Sequence, residues 1–161
     1  MSTAQQQQRG RWLLLGLFAM AAVPILAAQA AFQWWRPQGG NTFGQLIAQP
    51  AAAADSHWRL VAVEHDCGQR WQQLLLASRQ LRLAQGLDSE RITRATSGTC
   101  QAAYLAALPA APLLSQPGLY LLDPHGNAVV RYAPAQLSND ADRRKVLKEI
   151  GTLLKNNKGL G

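Results

Sequence analysis

Two cysteines, Cys67 and Cys100, are the residues of this chain whose chemistry could define a function. A thiolate is both a nucleophile and a metal ligand, and two thiols can form a disulfide when their Cα atoms lie within about 7 Å. The pair fits no zinc-ligand spacing. Cys67 is open to three interpretations: a reactive thiol, a partial metal ligand, or a residue that fills a helix cap. A protonated His65 would favour its thiolate, and Asp66 would oppose it.

The sequence around Cys67 predicts that it precedes a helix. The segment Trp58–Val63 is short and mainly apolar, as in a buried parallel strand. His65–Gly68 interrupts this run, and from Trp71 apolar residues recur at helical spacing until Gly86 can end the helix. Because the helix dipole favours an anion at the helix N-terminus, we expect the thiol of Cys67 to be acidic and reactive.

The rest of the chain predicts an α/β domain with the element order β-α-β-α-β-β-α, which is the topology of thioredoxin-like folds. The further elements are a strand, a short alanine-rich helix, the two strands of a hairpin and a last helix: 91–96, Cys100–Leu108, Gly118–Leu122, Ala128–Tyr132 and Asp140–Asn156. Cys100 would then begin a helix, and helix-to-helix spacing weighs against a Cys67–Cys100 disulfide but leaves it open. Pro117 stands directly before a strand, where thioredoxins carry a cis proline that faces the active cysteine, so it is a candidate for a cis bond.

An uncharged segment near the start of the chain predicts a membrane anchor. Residues Trp12–Phe32 carry no charge and are long enough to cross a bilayer core of about 30 Å. Arg9 and Arg11 place the N-terminus on the cytoplasmic side and the domain outside. The alternative is a signal peptide cleaved after Ala28-Gln29-Ala30. The predicted segments are a cytoplasmic tail, a transmembrane anchor, a tether with a short arm, and the thioredoxin-like domain: 1–11, 12–35, 36–56 and 57–161.

The net charge of +7 does not indicate nucleic-acid binding. The basic residues are spread along the chain, and no basic stripe interleaved with aromatic residues is present. Four arginines stand closer together than the rest: Arg79, Arg82, Arg91 and Arg94. They form either a basic face of the domain or ordinary solvated charges.

Three motifs resemble the Sco/SenC group of membrane-anchored, thioredoxin-like proteins. The motifs are Asn41-x-Phe43-Gly44-x-Leu46; Cys67 followed by Arg79-Gln80-x-Arg82 and Gly86-x-Asp88-x-x-Arg91; and Tyr120-Leu-x-Asp123-Pro124-x-Gly126-Asn127 followed by Arg131-Tyr132. That group delivers copper and reducing equivalents to cytochrome c oxidase. More closely, the chain resembles small single-pass proteins associated with oxidase assembly in proteobacteria. The resemblance implies a domain in the periplasm, held by the cytoplasmic (inner) membrane.

The chain departs from the Sco pattern at the copper ligands. Sco proteins use Cys-x-x-x-Cys and a distant histidine, whose thiolates and imidazole suit copper. Here Trp71 occupies the position of the second cysteine, and Ser115 lies near the position of the histidine. The resemblance therefore implies no copper site of the Sco kind, and we expect no cofactor. A non-standard copper site would have to use Cys67 and His65, together with Cys100 or His125.

Three functions from different classes fit these observations. The first is an accessory protein of respiratory oxidase biogenesis that docks to oxidase subunits or assembly factors and is not an enzyme. The second is a thiol oxidoreductase that uses Cys67 as its single nucleophile, with Cys100 as the internal candidate for a resolving thiol. The third is a copper chaperone with a non-standard site. Without a thiol next to Cys67, we expect the docking function.

Overall fold

The computed structural model describes residues 3–34 and 42–161. The chain divides into two compact units at the junction between residues 41 and 42. The end of the predicted anchor and the start of the predicted tether (35–41) lie outside the described residues, as do residues 1 and 2.

The first unit contains one long helix, α1, which spans Thr3–Trp34. Within it, Arg11–Ala30 forms a 20-residue segment with a mean hydropathy of 2.1, none of which is buried inside the protein. A helix of this length and composition can cross a bilayer core. Pro24 lies inside the helix, as membrane helices tolerate. These features indicate a single membrane-spanning segment, where the sequence predicts the anchor.

The second unit is built on one six-stranded sheet with the order β1-β6-β5-β2-β3-β4. Its strands are β1 Gln45–Pro50, β2 Trp58–Val63, β3 Ile92–Ser97, β4 Ala106–Leu108, β5 Gly118–Leu122 and β6 Asn127–Tyr132. Strands β2, β3 and β4 pair in parallel, whereas β5 pairs antiparallel with both β2 and β6, and β1 pairs antiparallel with β6. The two helices of this unit are α2 (Gln69–Leu83) and α3 (Asp140–Asn156).

Both helices contribute to one hydrophobic core on the sheet. Strand β2 is buried along its whole length, including Arg59, and its other five residues are apolar, as expected of a buried parallel strand. Helix α2 buries the helical stripe from Trp71 to Leu81, and α3 buries Val146, Ile150 and Leu154 in the same core. The β2-α2-β3 crossover, the β5–β6 hairpin and the closing helix define a thioredoxin-like fold, which confirms the predicted fold class.

The helix predicted at Cys100–Leu108 is wrong. The segment is a loop that ends in the short strand β4, which pairs with residues 95–97 of β3. A helix of nine residues followed closely by Pro109 and Pro112 is too short to be stable without tertiary support. Pairing with the free edge of β3 satisfies backbone groups of β4 instead. The second face of the sheet is therefore covered by the chain around Leu108–Leu114, which contains one short 3-10 turn (Pro112–Leu114) and no α-helix.

Strand β1 lies within the segment predicted as a tether, so the compact unit starts at Thr42, before the predicted domain boundary at residue 57. The backbone N–H groups of Phe43 and Gly44 each donate to the Glu149 carboxylate at 3.0 Å. A Cβ atom at Gly44 would overlap the side chains of Val130 and Tyr132. The Phe-Gly pair of the first motif therefore has a packing role at the start of the domain.

Candidate functional site

A disulfide between Cys67 and Cys100 marks the candidate site. The two Sγ atoms are 2.06 Å apart, and the two Cα atoms are 5.4 Å apart. Parallel strands β2 and β3 run side by side with Val63 opposite Ser97. The two cysteines follow these strand ends by four and three residues, and the carboxyl ends of neighbouring parallel strands lie at the same edge of a sheet. The topology thus brings the two sulfurs together.

The sequence left open whether Cys67 is a reactive thiol or is bridged to Cys100, and in this structure both cysteines are in the disulfide. The helix-to-helix spacing that weighs against the bridge does not apply. Cys100 begins a loop, and a loop can approach the turn before α2 more closely than a second helix could. Cys67 also lies one residue before Gly68, which is the N-cap of α2.

The two sulfurs differ in their access to solvent. Cys67 belongs to an exposed turn, whereas Cys100 is only 1% exposed and packs into the main core. An incoming thiolate can therefore reach Cys67 far more readily than Cys100. In thiol–disulfide exchange the attacked sulfur is decided by access as well as by acidity. The pair has an outer sulfur that can be attacked and an inner sulfur that can leave.

An ion pair between a buried glutamate and an exposed arginine supports the turn before Cys67. Glu64 follows β2 directly and is 1% exposed. Its Oε2 atom lies 2.8 Å from Nε of Arg70 in the first turn of α2, and its Oε1 atom accepts a hydrogen bond from the N–H of His65. This ion pair was not predicted from the sequence. An acidic residue at the end of an apolar strand is the signal for it, because a buried carboxylate requires a partner.

The imidazole ring of His65 binds the backbone of Ser115. Its Nε2 atom lies 2.7 Å from the main-chain oxygen of Ser115. Because a carbonyl oxygen can only accept, Nε2 carries the proton and donates it to this bond. Ser115, at the position predicted for a copper ligand, thus contacts His65 through its backbone.

The bond to Pro117, the candidate for a cis bond, is trans, and no cis peptide bond occurs in residues 3–34 and 42–161. The trans form is the favoured one by about 0.5–1 kcal/mol for a bond to proline. The carbonyl of Pro117 accepts a hydrogen bond from Nη2 of Arg131 at 2.7 Å, and the Tyr120 hydroxyl donates to the carbonyl of Gln116. Burial raises the pKa of Tyr120. These contacts hold the loop that precedes β5, at the same end of the sheet as the disulfide.

The structure does not bring His125 to the disulfide. Val63 of β2 lies opposite Gly118 of β5, whereas Arg59 lies opposite Leu122. His125 follows Leu122 in the hairpin turn, so it is at the other end of the sheet from Cys67. The two residues are therefore not placed to share one metal ion.

The described residues contain no group of three or more His, Cys, Asp and Glu side chains placed to hold a metal ion. Trp71, which occupies the position of the second Sco cysteine, is 3% exposed and belongs to the core. A disulfide also removes the two thiolates that a soft metal would need. The expectation that the chain holds no copper stays a prediction.

Fold and site together define the class: a thioredoxin-like domain joined to an apolar, membrane-spanning helix, with one disulfide at the carboxyl ends of two parallel strands. The family described as "Transmembrane-like, N-terminal domain" matches residues 4–34, which is the region of α1. No curated protein matches the chain.

Two solved structures are similar to the chain at a low level. The thioredoxin domain of a thiol-disulfide oxidoreductase from Bacteroides vulgatus has 12% identity and a TM-score of 0.39, and the match covers 66% of this chain and 99% of that one. A structure of Trgpx in its apo form has 12% identity and a TM-score of 0.37, with 70% of this chain and 95% of that one covered. Both scores are low, so the fold assignment rests on the strand order and the helix positions.

Proposed function

We propose that this chain is an accessory protein of respiratory (cytochrome c) oxidase biogenesis, which docks to oxidase subunits or assembly factors. The Cys67–Cys100 disulfide carries the proposal. Disulfides persist outside the cytoplasm, which agrees with a domain on the periplasmic side of the inner membrane. With both cysteines bonded, the domain has no thiolate for metal transfer or for nucleophilic attack. The oxidase setting is taken from the Sco/SenC resemblance.

Co-purification from membranes tests the docking function. We expect the tagged full-length chain, solubilised in mild detergent, to retain oxidase subunits or oxidase assembly factors. The matched control is residues 1–41 fused to an unrelated exported domain, because it keeps the apolar helix and lacks the thioredoxin-like unit. Equal enrichment of the oxidase proteins with both baits, or with neither, would contradict docking through the domain.

The orientation of the chain has a separate test. Arg9 and Arg11 precede the apolar helix, so we expect the C-terminal domain to be outside the cytoplasm. Protease added to intact spheroplasts should then degrade the domain, and alkaline carbonate should leave the full-length chain in the membrane. Release of a chain that begins near residue 31 would support the cleaved signal peptide instead.

A second function, thiol–disulfide exchange, is favoured by the exposed Cys67 and the buried Cys100. A substrate thiolate would attack Sγ of Cys67, the Cys67–Cys100 bond would break, and Cys100 would leave as a thiolate that takes up a proton. A second substrate thiolate would then attack the substrate sulfur of the mixed disulfide and release Cys67 as a thiolate. The substrate dithiol is oxidised by two electrons, and the disulfide of the chain is reduced by two.

Alkylation and turnover separate this second function from docking. After mild reduction we expect Cys67 to be alkylated faster than Cys100, since only Cys67 is exposed. We expect negligible oxidation of a dithiol peptide over repeated cycles in a glutathione buffer. Robust turnover that is lost in Cys100→Ser would establish the exchange reaction and overturn the purely docking function.

Copper titration tests the remaining hypothesis. Because Trp71 and Ser115 stand at the expected ligand positions, we predict no stoichiometric copper in the reduced full-length chain after treatment with a competing chelator. A bound copper ion that survives the chelator and is lost in Cys67→Ser would contradict this prediction.

A further inference from the structure

The outer side of α2 carries exposed apolar and basic side chains together. Leu76 is 52% exposed and Leu83 is 59% exposed, and Arg79 lies between them on the same helical face. Beside the helix, the ring of Tyr104 in the loop after Cys100 is 71% exposed. In this part of the described domain, large apolar side chains are left open to solvent and no described element covers them.

These side chains border a groove between α2 and the loop before β4. The groove has a volume of about 380 Å³ and is lined by Gln72, Leu75, Leu76, Arg79, Arg94 and Tyr104. We call it the α2–Tyr104 groove. It contains no acidic side chain, and α2 itself has none over its whole length.

The guanidinium group of Arg94 is held in place in this groove. Its Nε atom donates to Oγ of Ser78 and its Nη2 atom donates to the main-chain oxygen of Leu75, both at 2.9 Å. Both acceptors are neutral, so the positive charge is not compensated by these bonds. The group is fixed before any ligand arrives, which lowers the entropy that binding would cost.

The neighbouring arginines also lack an acidic partner. Arg82 donates to the main-chain oxygens of Ser89 and Ile92, and Arg79 has no hydrogen bond or ion pair with any described residue. All nine acidic residues of the chain are among the described residues. Burial lowers the pKa of Arg94; Tyr104 opposes this effect, and Arg79 and Arg82 add to it. Three positive charges are thus close together without a carboxylate.

We infer that the α2–Tyr104 groove binds an acidic segment of a partner protein, in which carboxylates alternate with apolar side chains. Carboxylates of the segment pair with Arg79 and Arg94, since guanidinium groups bind carboxylates with two parallel hydrogen bonds. Apolar side chains of the segment cover Leu76 and Tyr104. A concave groove with a fixed arginine inside it accommodates single side chains, and for this reason it suits a peptide better than the flat surface of a lipid bilayer.

This inference rests on the proposed docking function and names the chemistry of the partner. Its test is a direct binding measurement on the groove, whereas co-purification tests the oxidase setting. If the peptide binds but no oxidase protein co-purifies, the inference about the groove is supported and the proposed role in oxidase biogenesis is contradicted. If oxidase proteins co-purify equally well with a groove variant, the docking function is supported and the groove is not the binding site.

The experiment uses the full-length chain in nanodiscs of phosphatidylcholine and a fluorescein-labelled decapeptide of alternating glutamate and leucine. We expect binding by fluorescence anisotropy that weakens as salt is added. Arg79→Glu should weaken binding about tenfold or more, because it replaces attraction by repulsion. Arg79 is exposed and has no described partner, so this variant should fold as the unsubstituted chain does, which circular dichroism checks.

The matched control is Arg144→Glu on α3, which changes the net charge equally at an exposed site outside the groove. It should change the affinity by no more than about twofold. Tyr104→Ala should weaken binding about threefold or more, through loss of apolar contact. Equal effects of Arg79→Glu and Arg144→Glu would show nonspecific attraction and overturn the inference.

Two further outcomes would also overturn it. If the peptide is not bound but phosphatidylglycerol vesicles are, and Arg79→Glu abolishes that binding, the groove faces lipid. If the chain forms dimers that Arg79→Glu dissociates, the occupant is a second copy of the chain. Peptide binding that depends on Arg79 and not on Arg144 supports an acidic protein partner.

Discussion

The two ends of the central parallel strands β2 and β3 are stabilised by different kinds of contact. At the amino end, Arg91 precedes β3 and donates to the main-chain oxygens of Leu154, Asn157, Leu160 and Gly161. At the carboxyl end, the Cys67–Cys100 disulfide joins the loops that follow β2 and β3, and one sulfur stays exposed. The amino end is held by many noncovalent bonds with a largely buried cation, and the carboxyl end is held by one covalent bond at the surface.

This difference separates an end of the sheet that is closed by hydrogen bonds from the end that carries the candidate site. Arg91 is an additional donor to the carbonyl groups of Leu154 and Asn157, which also accept backbone N–H groups, and it joins Leu160 and Gly161 to the start of β3. Trp58, at the start of β2, adds a bond from its indole N–H to the oxygen of Leu160. In open α/β sheets, ligands bind outside the carboxyl ends of the strands. The end with the exposed sulfur is thus the end where the fold leaves room for a partner.

The largest expected effect is loss of the disulfide. The Cys67→Ser/Cys100→Ser double variant should lose roughly 2–4 kcal/mol of unfolding free energy, because the bridge restricts the unfolded chain. Urea unfolding of the full-length chain in detergent measures this. Reduced, unsubstituted protein is the control and should unfold at nearly the same urea concentration as the variant. An unchanged midpoint would mean that the carboxyl end is held by something other than the disulfide.

Arg91→Ala should lower the free energy of unfolding by about 2–3 kcal/mol, since hydrogen bonds from a charged group contribute more than neutral ones and Asp88 loses its ion-pair partner. The measurement is the same urea unfolding. Arg144→Ala is the matched control, because Arg144 is exposed and should change stability by less than about 0.5 kcal/mol. Equal effects of the two substitutions would remove the distinction between Arg91 and a surface arginine.

Trp58→Phe should cost about 1 kcal/mol, because it removes the indole N–H that donates to Leu160 and keeps an aromatic ring in the core. Arg91 also binds the oxygen of Leu160, so the two substitutions should not be additive. A double-mutant cycle with Arg91→Ala measures this coupling. Full additivity would contradict a shared network at the amino end.

The smallest expected effect is at the carboxyl end. His65→Ala removes an exposed bond to the oxygen of Ser115 and should change stability by about 0.5 kcal/mol or less. The Cys67–Cys100 disulfide should form as before, which thiol titration of the unfolded protein checks. A loss comparable to that of Arg91→Ala would show that this end also depends on noncovalent contacts.

Much of the fold could be predicted because its signals are local. The uncharged run from Trp12 indicates α1, the turn residues after Leu122 indicate the hairpin, and apolar spacing in Asp140–Asn156 predicts α3 with both ends correct. Each of these patterns lies within one element. Of the candidate site, the positions of Cys67 and Cys100 after strands were predictable, but their bond was not.

Other features depend on contacts between distant parts of the chain, and only the tertiary structure decided them. The alanine-rich segment before Pro109 forms β4 because the edge of β3 is open to it. Arg91 could be a surface charge by its sequence, yet it binds oxygens 63 to 70 residues away. By itself the sequence determined the elements other than β1 and β4, because helix and strand periodicity is local. The tertiary structure decided which cysteine, arginine and strand edge meet, because such pairings depend on how the whole chain closes.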